Sequence, residues 1–167
     1  FAEAEEFKSG LRVAALDFSI TPSAGGQTES KVSALVKEVA GPLKTTVTLF
    51  EDGDTRVCLI APQMNSPKAA NVSPLLRQSV ADALDLPLAQ VLLMVSHNHT
   101  DLSLATNQVE TWGALSLDPA EIPDPILKPI GEEFLAKLVA TARQLPDLLQ
   151  PVTVWWAEGS EDRISYN

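Results

Sequence analysis

Residues 45–60 limit the possible folds of this chain more than any other stretch. The runs 45–50 (TTVTLF) and 55–60 (TRVCLI) are rich in β-branched residues, and Glu51-Asp52-Gly53-Asp54 between them is turn chemistry. Such runs suit a pleated, half-buried surface, and a glycine supplies the backbone freedom that a tight reversal needs. The pattern predicts an antiparallel hairpin. A hairpin alone is marginal in water, so its apolar face must meet further strands or helices.

The flanking sequence offers both. Residues 11–20 (LRVAALDFSI) read as a strand closed by Thr21-Pro22, and residues 1–10 as a frayed lead-in. Val32, Leu35, Val36 and Val39 fall on one side of a short helix over 30–39. Ser73-Pro74 predicts a helix start with Ser73 as N-cap and Pro74 at the first helical position. Its buried face would be Leu76, Val80, Ala83 and Leu84, with Pro87 ending it. The continuous apolar run 91–95 (VLLMV) has the signature of a strand buried on both faces. Residues 102–125 are irregular and proline-rich, residues 130–145 carry a helical stripe of Phe134, Leu135, Leu138, Val139 and Ala142, and 152–157 (VTVWWA) reads as a further strand. Strands alternating with helices point to a layered α/β domain over 1–167. The hairpin makes its β-sheet mixed, with helices flanking it.

Composition supports a core and narrows the function classes. Of 167 residues, 45% are hydrophobic and 20% charged, enough for one packed domain. Twelve Lys and Arg against 22 Asp and Glu leave a net charge of −10, which repels phosphate backbones and anionic lipid heads. Nucleic acid is therefore not an expected partner. No apolar run approaches the roughly 18–20 residues of a membrane span. The single Cys58 excludes an internal disulfide and any CxxC metal site. The compartment stays unassigned, because the chain opens on Phe1 and a removed signal peptide is an open alternative.

The two histidines of the chain are His97 and His99. Imidazole is the commonest protein metal ligand and the side chain poised to move protons near neutral pH. In extended backbone an i, i+2 pair points to one side. The pair follows the most apolar strand, and open α/β sheets place ligand crevices at strand carboxyl ends. A hydrogen-bonded strand-end pair or exposed loop residues are the bland alternatives. A closed zinc site needs three or four protein ligands; Asp101 could add an oxygen, but no third His or Cys is near, so the pair is a partial site.

Other residues are weaker candidates. Ser96, Thr100 and Ser103 are nucleophiles by type, but no G-x-S-x-G elbow raises one above the others. Gly25-Gly26 could cradle an anion or simply turn the chain, and Asp17 could be a turn-side polar group or the carboxylate that orients a histidine. Trp155 and Trp156 read as the core and surface sides of one strand. Asn71-Val72-Ser73 and Asn98-His99-Thr100 match glycosylation sequons.

These residues carry a resemblance. The run 11–22 resembles the opening strand of the neutral/alkaline ceramidase family, apolar residues followed by A-D-I-T-P. The run 41–60 resembles that family's D-P-L-x-A-R-A-x-V hairpin, and the run 91–100, ending in Ser96-His97-Asn98-His99-Thr100, resembles its V-L-I-S-A-T-H-T-H-S-G-P. Here Thr100-Asp101-Leu102 stands in place of S-G-P. The resemblance implies a zinc-dependent hydrolase of an amide bond, with His97 a zinc ligand and His99 beside the metal, binding or polarising substrate. It also implies that the remaining ligands (a His, a Glu and a Tyr) come from sequence beyond Asn167. The chain is then expected to be the N-terminal half of a larger catalytic domain, completed by a second polypeptide or a missing C-terminal part, acting on a small-molecule amide.

Two rivals remain. His97-x-His99-x-Asp101 resembles the first half of the metallo-β-lactamase H-x-H-x-D-H motif, with Leu102 in place of its last histidine. Alternatively, the chain is a structural or regulatory subunit whose histidines do no chemistry.

Overall fold

The computed structural model describes residues 5–7, 10–21, 41–64, 70–96, 103–107, 109, 114 and 117–159. The expected hairpin is its centre. Strands β3 (Lys44–Asp52) and β4 (Thr55–Pro62) pair antiparallel from Thr45↔Pro62 to Asp52↔Thr55. Only Gly53 and Asp54 lie between the last partners, and Gly53 has φ 56°, where a side chain would strain the turn. Strand β2 (Arg12–Ser19) pairs antiparallel with the other side of β3, and β6 (Gln150–Pro151) adds two residues beyond it. Strand β5 (Val91–Leu93) joins β4 in parallel. The order β5-β4-β3-β2-β6 is a mixed five-stranded sheet in an α/β layout.

Side-chain alternation decides the faces. Ala14, Val47, Leu49, Cys58, Ile60 and Val91 are buried on one side of the sheet, and Leu16 and Phe18 pack against them. Helix α1 (Val72–Leu84) covers that side with Leu76, Val80 and Leu84, and α2 (Pro129–Ala142) with Phe134, Leu138 and Ala142. The rings of Phe18 and Phe134 meet edge to face with centroids 5.4 Å apart, tying β2 to α2. On the other side Ala15 and Asp17 are exposed and Thr46, Thr48 and Leu59 are half-buried. Among the described residues no helix is long and apolar enough to cross a membrane.

The structure departs from the sequence-based expectation at several element boundaries. Helix α1 starts two residues early: its N-cap is Asn71, and Pro74 is the third helical residue. Proline is tolerated there because the first four helical N–H groups have no partner inside the helix. The helix stops before Pro87, since Asp85 turns left-handed at φ 53° and the Leu86 N–H donates to Ala81 O at 2.9 Å. Helix α2 ends at Ala142 and continues as a tight 3-10 turn, Leu145–Leu148, because Pro146 can neither donate nor fit against the carbonyl four residues back. The apolar run 91–95 is not buried on both faces. It forms the edge strand, and with no layer over the outer face among the described residues, Leu92 is 46% and Met94 62% exposed. The lead-in holds a strand, β1 (Glu5–Phe7), which pairs with β7 (Val154–Trp156) as a separate two-stranded ribbon. Both Trp155 and Trp156 are exposed, so neither is core, because that ribbon is not part of the five-stranded sheet. The helix expected over 30–39 lies outside the described residues.

One charged cluster ties neighbouring strands of the sheet together. Glu51 accepts from Arg12 at 2.8 Å and from Arg56 at 2.7 Å, while Arg12 also donates to the Leu149 carbonyl at 3.0 Å. The Arg56 hydrogen bond is the main reason that the Glu51 carboxyl is held below its usual range. A carboxyl depressed in the folded state stabilises above its unfolded pKa and loses that contribution as pH falls through the folded value. Acidification below the ordinary glutamate value of 4.5 is therefore expected to weaken the fold partly through Glu51. Thermal unfolding of Glu51→Gln across pH 7 to 3 should show a shallower acid dependence than the parent. An unchanged slope would contradict this assignment.

Candidate functional site

Three strand ends gather at one edge of the sheet. β2 leaves at Ser19, β3 enters at Lys44 and β4 leaves at Pro62, aligned by the pairs Ser19↔Lys44 and Thr45↔Pro62. Past β5 the chain continues along the same direction, with the Met94 N–H donating to Ile60 O at 2.9 Å. The Pro62 carbonyl then accepts two backbone N–H groups, from Met64 at 2.9 Å and from Ser96 at 3.2 Å. Ser96 is thus held at this edge, beside Met64. His97 follows it in sequence; His97, His99, Thr100, Asp101 and the Gly25-Gly26 pair lie outside the described residues.

A cleft of about 70 Å³ opens at the same edge, between the strand ends and the first turns of α2. Its floor is the buried trio Met64, Leu104 and Phe134. Its rim carries an ion pair, Lys137 Nζ at 2.7 Å from Glu133, with Nζ also 3.4 Å from the Ser19 carbonyl. Thr21 closes one wall: its hydroxyl oxygen accepts the Leu43 N–H at 2.8 Å, and Ser19 Oγ donates to it at 3.0 Å. These local bonds satisfy backbone polar groups where the strand ladder stops. A wider, polar hollow of about 450 Å³ lies at the hairpin end, by Glu51, Arg56 and Asp85.

The other described sequence candidates have these surroundings. Asp17 faces the exposed side of the sheet, where Thr46 Oγ1 donates to it at 2.7 Å and Lys44 Nζ lies at 3.4 Å. The Thr46 bond, more than Lys44, holds its carboxyl below the ordinary range. Ser103 donates its hydroxyl to the Ala105 carbonyl at 3.0 Å, which fixes the chain before the Ala105↔Leu127 bridge. Ser96 is exposed. Asn71 is 5% exposed, and its side-chain amide donates to the Asn107 and Pro123 carbonyls at 3.2 and 3.0 Å, so the first sequon is spent on tethering two loops to α1. Cys58 is fully buried and desolvation pushes its thiol up to about 12, which leaves it inert as a nucleophile or ligand.

Among the described residues no three His, Cys, Asp or Glu side chains converge as a metal site. The cleft itself was missed by sequence reasoning. Its lining comes from five stretches far apart in sequence, 19–21, 43, 64, 104 and 130–137. No protein-family model matches this chain, and no curated protein matches it.

Proposed function

We propose that this chain is the N-terminal part of a zinc-dependent hydrolase that cleaves an amide bond, its site completed by a second polypeptide or a missing C-terminal part. The observation that supports the reading best is the shared acceptor at Pro62. It brings the residue preceding the H-x-H pair beside a concave, partly apolar cleft at the sheet's edge. Crevices at the carboxyl ends of strands are where open α/β sheets bind ligands. In this reading His97 is a zinc ligand, and His99 binds or polarises the substrate and handles protons. Imidazole suits zinc, and the resemblance of 91–100 to the ceramidase H-x-H stretch supports the same assignment. When bound, zinc supplies Lewis acidity to the scissile carbonyl and eases deprotonation of water. The excess of carboxylates on the chain disfavours anionic substrates, consistent with a neutral amide.

Zinc titration of the complete native complex tests the proposal, followed by turnover of a fluorogenic N-acyl amide. The expected result is one zinc per complex, hydrolysis lost on chelation and restored by zinc. Hydrolysis that survives complete chelation, or a complete complex that takes up no zinc, would overturn it.

A further inference from the structure

We infer that the cleft between the strand ends and α2 is a binding subsite for a small neutral amide. The amide's apolar substituent is three or four carbons long, and long acyl chains do not fit. The link from this subsite to chemistry rests on the hydrolase reading; the binding itself does not.

Size sets the first limit. An enclosed apolar cavity of about 150 Å³ takes a benzene ring, so the 70 Å³ here matches a group of roughly half that size. Its floor of Met64, Leu104 and Phe134 is between 3% and 5% exposed and sits directly on the core, so among the described residues a longer chain meets packed side chains there. Close-packed interiors do not yield such space without cost.

The rim sets the second limit. Lys137 offers an ammonium donor and Glu133 a carboxylate acceptor side by side. An amide presents the complement, a carbonyl to accept and an N–H to donate. The two charges cancel locally, so a carboxylate ligand would meet Glu133 and an amine would meet Lys137, each with one repulsive neighbour. A neutral amide meets neither. Ser19 and Thr21 compete little for the ligand, because their side-chain oxygens are engaged with each other and with Leu43.

Methyl-labelled, zinc-free protein titrated with isobutyramide, isobutyrate and octanamide tests this by NMR. The expected result is saturable shifts at the Leu43, Leu104 and Ile130 methyls with isobutyramide, in the millimolar range usual for a ligand of about six heavy atoms. Isobutyrate and octanamide should bind at least tenfold more weakly. Ile130→Trp, which fills the mouth, should abolish the shifts, and Lys137→Met should weaken binding about tenfold with the fold intact, the cost of one charge-assisted hydrogen bond. Absence of saturable shifts at these methyls, or equal affinity for octanamide or isobutyrate, would overturn the inference. Because the readout needs neither zinc nor turnover, isobutyramide binding together with a complete, zinc-loaded complex that hydrolyses nothing would sink the hydrolase proposal alone.

Discussion

If the zinc-hydrolase proposal holds, replacing His97 with alanine is expected to strip zinc from the complete complex and to lower amide hydrolysis by about a thousandfold or more, with the fold intact. Losing one imidazole from a site with three or four protein ligands leaves too few donors to hold the ion at catalytic concentrations. Losing the ion removes the carbonyl's main electrostatic stabiliser, which is why the effect falls on turnover rather than on substrate affinity. His99→Ala should differ. Zinc should stay bound while kcat falls, since that imidazole is assigned to substrate and protons. Metal analysis and steady-state kinetics on both variants separate the roles. A His97→Ala protein with full zinc and full activity would favour the structural-subunit rival, as would a variant that loses stability but keeps its rate.

The second large effect is structural. Gly131 lies in the first turn of α2, buried, and an added Cβ would collide with the Leu104 carbonyl oxygen. That carbonyl is fixed: it accepts the Lys128 N–H at 2.9 Å, and the neighbouring Thr106 N–H donates to Ile126 O at 2.9 Å. In an open helix Gly→Ala stabilises by about 1 kcal/mol, because glycine has more conformational freedom to lose. Here a collision with hydrogen-bonded backbone outweighs that gain, and Gly131→Ala is expected to cost about 3 kcal/mol, the upper part of the overpacking range. Urea unfolding measures it directly. A variant as stable as the parent would mean that the 103–107 segment moves freely over α2. Since Leu104 is part of the cleft floor, the same variant should also disturb amide binding there.

Much of the fold was legible because local and global preferences agree. The hairpin is written in Val47, Leu49, Cys58 and Ile60 alternating inward and in the one glycine at its turn. The stripe of Phe134, Leu138 and Ala142 likewise announces α2. The edge position of β5 was not legible, because Leu92 is as apolar as its buried neighbour Val91 and a sequence does not say whether a second layer lies outside. Ser73 looked like a cap by type, yet Asn71 takes the position while its amide serves Asn107 and Pro123, partners remote in sequence. The cleft shows the same limit more strongly. Nothing in the sequence joins Lys137 to Ser19, 118 residues away; only the fold brings them together.

X-ray absorption at the zinc edge of the complete native complex tests the central assignment most directly. The expected spectrum shows nitrogen scattering at about 2.0–2.1 Å with the outer-shell pattern of imidazole, diminished in amplitude or lost altogether in His97→Ala. A zinc spectrum identical in parent and His97→Ala would contradict the assignment, and with it the reading of this chain as part of a zinc hydrolase.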